Sequence, residues 1–358
     1  MVCVPHPFLA RYVFILWLRW LLSSIMVHGV SGDFLSSRGF AVSIDAGGSG
    51  RALDCVVSHA HSDHAVVPKN SASRYWMTPE TRQLIAAKLG KKNVVQTTRF
   101  GQKHLLGDAT LSLHSAGHIL GSAQVLLENS QRLLVSGDFK LEGSILFPGA
   151  DTMLCDSLVL ESTFGLPHFV FPPREQIYHE MGQWAKKEVR ENHAVVLSGY
   201  ATGKAQELTK ICNEFVGEIP LVHEKVFEVN RVYEQCGVKL GAFEKMDHNL
   251  KDFNVFILPP SLVSSHLLQA LSFSLQKPVR AAIATGWNFS APYYDRLFSL
   301  SDHADFNQLM QYVRQTEPKI VYTNHGFSEE LAGFIQRRLK IPARSLENEG
   351  QKAIAEFC

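Results

Sequence analysis

The stretch Ser58-His59-Ala60-His61-Ser62-Asp63-His64 decides the reading of this chain. It follows a run of strand-forming residues at 52–57, so it is expected on a loop at a strand's carboxyl end. His59 and His61 are two residues apart and face the same side in extended backbone. Asp63 and His64 follow where the chain should turn. Four metal-competent side chains in so short a loop can hardly all hold one ion, but they can serve two neighbouring ions. The competing reading is a polar turn with chance histidines; the density of the pattern and the type of every residue in it argue against that.

Three other strand ends carry the same kinds of donor. Leu113-His114-Ser115-Ala116-Gly117-His118 offers His118 after a strand and a glycine. Leu134-Val135-Ser136-Gly137-Asp138-Phe139 offers Asp138 beside a glycine that lets backbone approach closely. Val321-Tyr322-Thr323-Asn324-His325-Gly326 repeats the pattern near the C-terminus. Each alone reads more readily as a turn residue. Together with the first cluster they form a set of imidazoles and carboxylates without thiols, which suits Zn²⁺, with Mn²⁺ or Fe as alternatives.

Composition narrows the class. The chain has 358 residues, which suggests about two domains. With 46% hydrophobic and 19% charged residues it is globular rather than disordered or coiled-coil. The formal net charge of +1 excludes a strongly basic coat, so recognition of phosphate must come from a local patch, a metal or backbone donors. Six scattered cysteines with no CxxC pair argue against a disulfide scaffold and a thiolate zinc site, and suit a reducing cytosol; a cytoplasmic location is the expectation. Residues 8–27 form an apolar stretch broken by Arg19, so its longest uncharged run falls well short of the ~20 residues of a spanning helix. The readings are a dispensable extension with Met26 as the start, a membrane-surface helix, or a cleaved signal.

Strands are expected at 40–44, 52–57, 110–114, 122–128, 132–136 and 157–161, and helices at 79–89, 174–192 and 204–215. From Glu161 to about Tyr294 a second α/β unit follows, with strands at 194–197, 221–222, 254–257 and 281–284. A strand at 319–322 and a helix at 329–339 close the chain. The Pro- and Phe-rich segment 164–173 is the expected junction. Ser198, Gly203 and Lys204 lie in a strand–turn–helix, where free amides and an ammonium could meet a phosphate; a plain helix cap with a solvated lysine is the bland alternative. Trp287, Tyr293 and Tyr294 read first as core aromatics, with stacking on bases as the alternative.

The set HxHxDH, Gly-His, Gly-Asp and His-Gly resembles the metallo-β-lactamase fold. VLESTFG around Glu161, SGYATGKAQEL at 198–208, and His303 in FSLSDHADF are similar to its nucleic-acid-cutting β-CASP branch. AGHILGSAQ (116–124), SGDFKLE (136–142), ESTFGLP (161–167) and ATGWNF (284–289) resemble the bacterial and archaeal ligase-associated DNA exonucleases. The resemblance runs from about residue 39 to 350. It implies a four-layer αββα metallo-β-lactamase fold with an inserted α/β β-CASP cap: the first part of the main domain at 33–165, the cap at 166–295 and the second part at 296–358, behind an N-terminal extension at 1–32 that has no family counterpart.

The resemblance further implies two divalent ions, with His59, His61 and His118 on the first, Asp63, His64 and His325 on the second, and Asp138 bridging. Asp45 would support the histidine loop. Asp63, Glu161 and His303 would be catalytic; for His303 the bland alternative is a residue at a helix N-terminus behind a Ser301-Asp302 cap. Single-stranded DNA or DNA ends are the implied substrate, with a DNA ligase and a helicase as implied partners. RNA cleavage of the mRNA 3′-end processing type is the nearest alternative, followed by a small-molecule metallohydrolase and a non-catalytic subunit. Phe139 after Asp138 and Asn324 before His325 are minor departures from the family pattern.

Overall fold

The computed structural model describes residues 26–28, 33–35, 41–45, 54–67, 73–86, 89, 93–247, 250–288 and 292–346. Strands β1 (Met26–His28), β2 (Asp33–Leu35), β3 (Ala41–Ile44), β4 (Asp54–Val56), β5 (Arg74–Met77) and β6 (Val94–Thr97) form a first sheet in sequence order, parallel from β3 onward. Helix α1 (Pro79–Leu84) leaves β5 with Thr78 as its cap, the Thr78 hydroxyl oxygen accepting from the Thr81 amide. Strands β7 (His104–Leu106), β8 (Ala109–Ser115), β9 (Ala123–Glu128), β10 (Arg132–Val135) and β11 (Ser157–Glu161) begin a second sheet.

The chain then crosses through 162–173 into a third sheet. Its order of elements is α2 (Arg174–Arg190), β12 (Ala194–Ser198), α3 (Lys204–Ile211), β13 (Leu221–Val222), α4 (Glu224–Gln235), β14 (Glu244–Lys245), β15 (Val255–Leu258), α5 (Ser265–Leu275), β16 (Val279–Ala284) and β17 (Arg296–Phe298). This sheet is wholly parallel, in the order β14-β13-β15-β12-β16-β17. Every residue of β12, β13 and β15 is buried, because helices cover both faces. Helix α6 (Phe306–Thr316), β18 (Ile320–Asn324), α7 (Ser328–Leu339) and β19 (Ala343–Ser345) return to the second sheet, where β18 pairs with β11.

Apolar faces fix the layers. Val42, Ile44, Val56 and Trp76 of the first sheet meet Leu111, Leu113, Val125 and Leu133 of the second. The far side of the second sheet is covered by Phe306, Leu309, Leu331 and Ile335 from α6 and α7. Ile85, just past α1, packs with Tyr75 and Met77 on the far side of the first. The result is the αββα sandwich the sequence implies, carrying an α/β unit.

Several expectations change. Met26–His28 pairs with Asp33–Leu35, so the first sheet reaches into what reads as an extension at 1–32. Arg296–Phe298 pairs with β16 in the third sheet, so the chain returns only after Phe298 rather than at 296. The single helix expected at 204–215 is α up to Ile211 and then a π turn, Cys212–Val216, closed by Gly217 at φ 76°. There Asn213 donates to the carbonyls of Thr209 and Ala242, strapping the following loop. Residues 1–25, most of the apolar stretch, lie outside the described residues. Among the described residues no helix is long and apolar enough to cross a membrane.

Candidate metal centre and cleft

The centre is assembled from strand ends. His59, His61, Asp63 and His64 follow β4, His118 follows β8, Asp138 follows β10, Glu161 ends β11, and His325 follows β18. Gly117 and Gly326 permit two of these turns. Gly117 has φ 67°, and a Cβ there would meet the Lys140 carbonyl at 2.7 Å. Gly326 has φ 59°, and a Cβ would meet the Ser162 carbonyl at 2.5 Å. Asp45 (φ 58°) and His325 (φ 62°) are themselves left-handed, a conformation that costs a β-carbon residue of order 1 kcal/mol or more and tends to gather at functional sites.

His59, His61, His118 and Asp138 offer donor atoms within 4.8 Å of one another. His61 Nδ1 lies 3.1 Å from both His59 Nε2 and His118 Nε2. Asp138 Oδ2 lies 3.5 Å from His59 Nε2 and 3.8 Å from His118 Nε2. Four donors in a tetrahedron at the usual zinc distances of roughly 2.0–2.3 Å sit about 3.3–3.8 Å apart, so the residues present fit a divalent cation. The same Asp138 Oδ2 is 3.5 Å from His64 Nε2, which is 3.7 Å from Asp63 Oδ2. The His325 ring lies 5.8 Å from that of His64. This second group is more open, with the Asp63 side chain 78% exposed.

The rings of His59, His61, His64 and His118 are each oriented by the nitrogen turned away from the centre. His64 Nδ1 is 2.9 Å from Asp45 Oδ2, and Asp45 also accepts from the Ser58 amide and hydroxyl at 2.7 and 2.6 Å. His59 Nδ1 is 2.9 Å from Ser58 Oγ. His61 Nε2 is 3.1 Å from the Thr202 carbonyl, and His118 Nδ1 is 2.9 Å from that of Asp302. A carbonyl only accepts, so each of these two rings carries its proton there and turns a lone pair inward. Burial pushes His59 and His118 well below the usual histidine range and lowers His61; these are the neutral imidazoles a cation requires. Burial opposes charge on His64 too, but Asp138, Asp45 and Asp63 raise it to about 10. Burial likewise resists ionisation of Asp138, and His64 and His303 outweigh it, holding that carboxyl well below its usual range.

Beside this cluster, His303 Nδ1 lies 2.9 Å from Glu161 Oε2. Glu161 is fixed by the Phe139 amide at 2.7 Å and the Thr163 hydroxyl at 2.5 Å. Burial disfavours charge on His303, but Glu161 and Asp138 raise it to about 9. The Ser301-Asp302 cap does not form: α6 starts at Phe306, and Asp305 accepts from the Gln308 amide. His61, His64, His118, Asp138, Glu161 and His303 line a cleft of about 620 Å³ shared with residues of the third sheet's strand ends, while His59 lies fully buried behind it.

The phosphate candidates are corrected by their partners. Lys204 Nζ is bonded to Asp302 Oδ1 at 2.8 Å and Glu207 Oε2 at 3.2 Å and its side chain is 3% exposed, so its charge is already neutralised. The Gly203 amide donates to Gln206 Oε1, and buried Ser198 Oγ accepts from the Tyr294 hydroxyl. Tyr293 and Tyr294 pack on the third sheet, whereas Trp287 lines the cleft. Sequence reasoning missed Thr202 and Asp302 as orienting residues, because a backbone carbonyl carries no residue signature. Thr163, by contrast, stands in ESTFG only two residues from Glu161, a spacing that could have pointed to it.

Residues 296–345 match a family model described as the Zn-dependent metallo-hydrolase RNA specificity domain. Over 291 residues the chain is 34% identical to a protein of Opitutus terrae named probable DNA ligase, covering 79% of this chain and 28% of that one. It is 26% identical over 275 residues to the 5′ exonuclease Apollo of Gallus gallus, covering 73% and 56%. It is 22% identical over 377 residues to an RNase J-like protein of Methanocaldococcus jannaschii, covering 82% and 86%. The chain thus spans little more than a quarter of the first relative and about half of the second. With the strand-end histidines and aspartates gathered as described, the chain belongs to the metallo-β-lactamase β-CASP nuclease family.

Proposed function

We propose that this chain is a metal-dependent nuclease, a DNA exonuclease of the ligase-associated type acting in DNA repair. The observation that carries the reading is Asp138 Oδ2, within 3.8 Å of His59, His64 and His118 and facing the same cleft as the Glu161–His303 pair. In this reading His59, His61 and His118 hold one divalent cation, Asp63, His64 and His325 a second, and Asp138 both. When bound, the cations supply Lewis acidity towards phosphate oxygens and the positive charge that a chain of net charge +1 lacks. Asp45 keeps His64 turned towards Asp138. Glu161 binds His303 through Nδ1, which leaves Nε2–H to protonate or hold an oxygen of the cleaved diester. The sandwich carries the donors and the β-CASP cap closes the cleft over the strand.

DNA as substrate, and a DNA ligase with a helicase as partners, rest on the ligase-associated motifs and on the relative named probable DNA ligase. RNA is the second reading, favoured by the description of the model matching 296–345. The test is cleavage by the full chain, with Zn²⁺ or Mn²⁺, of end-labelled single-stranded DNA, duplex DNA and RNA. A DNA-selective ladder from one end is expected. Internal RNA cuts would move the chain to RNA processing, and no cleavage of any strand with metal bound would overturn the nuclease reading.

A further inference from the structure

Trp287 follows β16 and lines the cleft while 40% exposed. Its amide donates to Thr285 Oγ1 at 3.1 Å. Before it, Gly286 presses on Phe164 so tightly that a Cβ would meet Phe164 Cζ at 2.5 Å. The indole is backed by phenylalanines: Phe164 at 4.8 Å with a 49° tilt, and Phe169 at 5.6 Å edge-on. Phe164 is 1% exposed and stands 6.1 Å from the His303 ring. The rings therefore run in series from the catalytic histidine to an indole that is braced behind and open to the cleft.

A core tryptophan would be covered, as Trp76 is, and a mobile surface one would not be braced on a buried ring such as Phe164. We infer that Trp287 is a stacking platform for one unpaired nucleobase next to the phosphate that is cut. The inference rests on the nuclease reading and specifies its substrate as a single strand or a frayed end, since a paired base has no free face. Stacking on an aromatic face is favourable whatever the identity of the base, because every base has a π-face. It would give a nearly neutral protein affinity that salt does not screen. The bracing matters because an aromatic surface already fixed loses little freedom on binding.

The test is kcat/KM for a metal-loaded full chain on end-labelled single strands in which one abasic residue is walked past the cut site. In the wild type, one position should lose about tenfold or more. In Trp287→Leu, which keeps an apolar side chain but no ring, the intact strand should fall by a similar factor and the abasic residue should cost nothing further. Trp287→Phe should keep a smaller abasic penalty. An undiminished abasic penalty in the Leu variant overturns the inference; if that variant does not fold, an undiminished penalty in the Phe variant does so. Wild-type cleavage with no abasic penalty at any position also overturns it and leaves the nuclease reading intact. No wild-type cleavage of any strand overturns both.

Discussion

At the scale of single residues, the Glu161–His303 pair makes the sharpest claim. Glu161 is among the chief causes lifting His303 to about 9 against the opposing effect of burial. A raised histidine is protonated further up the pH scale in the folded chain than in the unfolded one, where its pKa is about 6.5. Its contribution to stability is therefore complete below about pH 6.5 and is lost as pH rises through about 9. If His303 works as the acid, activity should fall along the same upper limb. Glu161→Gln should move that limb to lower pH in a kcat profile; an unmoved limb would sink the pairing. His303→Ala should retain its metal by elemental analysis and lose ~10²–10⁴ in rate, whereas loss of metal would make the ring structural.

At the scale of elements, the junction between sandwich and cap is a buried ion network. Arg174 at the start of α2 meets Glu207 of α3 at 2.5 Å, and Lys204 of α3 joins Glu207 to Asp302. The Tyr178 hydroxyl donates to Glu207, and Arg174 also donates to the Ser301 carbonyl. The network thus braces the segment whose next residue is His303 and whose Asp302 carbonyl holds His118. Burial resists ionisation of Glu207 and Asp302, but Arg174 and Lys204 outweigh it and hold both carboxyls well below their usual range. Their stabilising contribution is present above the ordinary carboxylate pKa of about 4 and is lost as pH falls below it. Arg174→Met leaves a buried charge under-compensated and should cost about 3–5 kcal/mol in denaturant unfolding. Arg174→Met combined with Glu207→Leu should cost less than the sum of the single changes. Strict additivity would mean the pair is not coupled.

At the scale of the whole molecule, the metal centre ties segments that are distant in the chain. Donor-type residues come from after β4, β8, β10 and β18, so a cation bound there would hold the two sheets together at one edge. Removing it by chelation should lower Tm by several degrees, since a cation at a thousandfold excess over Kd stabilises by about 4 kcal/mol. Calorimetry before and after chelation, with re-addition of Zn²⁺, checks this; an unchanged Tm would mean the donors hold no cation that matters to folding.

How far the chain could be read depended on range. The sequence by itself determined which imidazoles and carboxylates stand at strand ends, the strands that carry them and, through the family resemblance, the αββα class. Type and spacing in a loop such as 58–64 are local, and a strand's apolar run is visible in its own residues. Even there, short or weakly patterned elements such as β5, β17 and α6 are not legible, because their apolar residues gain meaning only from the surface they cover. Tertiary structure alone decided that Thr202 and Asp302 orient His61 and His118 across 141 and 184 residues of chain. It alone decided that Lys204 is neutralised inside the junction, while Trp287 stays open to the cleft. Those outcomes follow from which surfaces pack together, and a lysine, a tryptophan or a backbone carbonyl looks the same in the sequence whether packing buries it or leaves it facing a substrate.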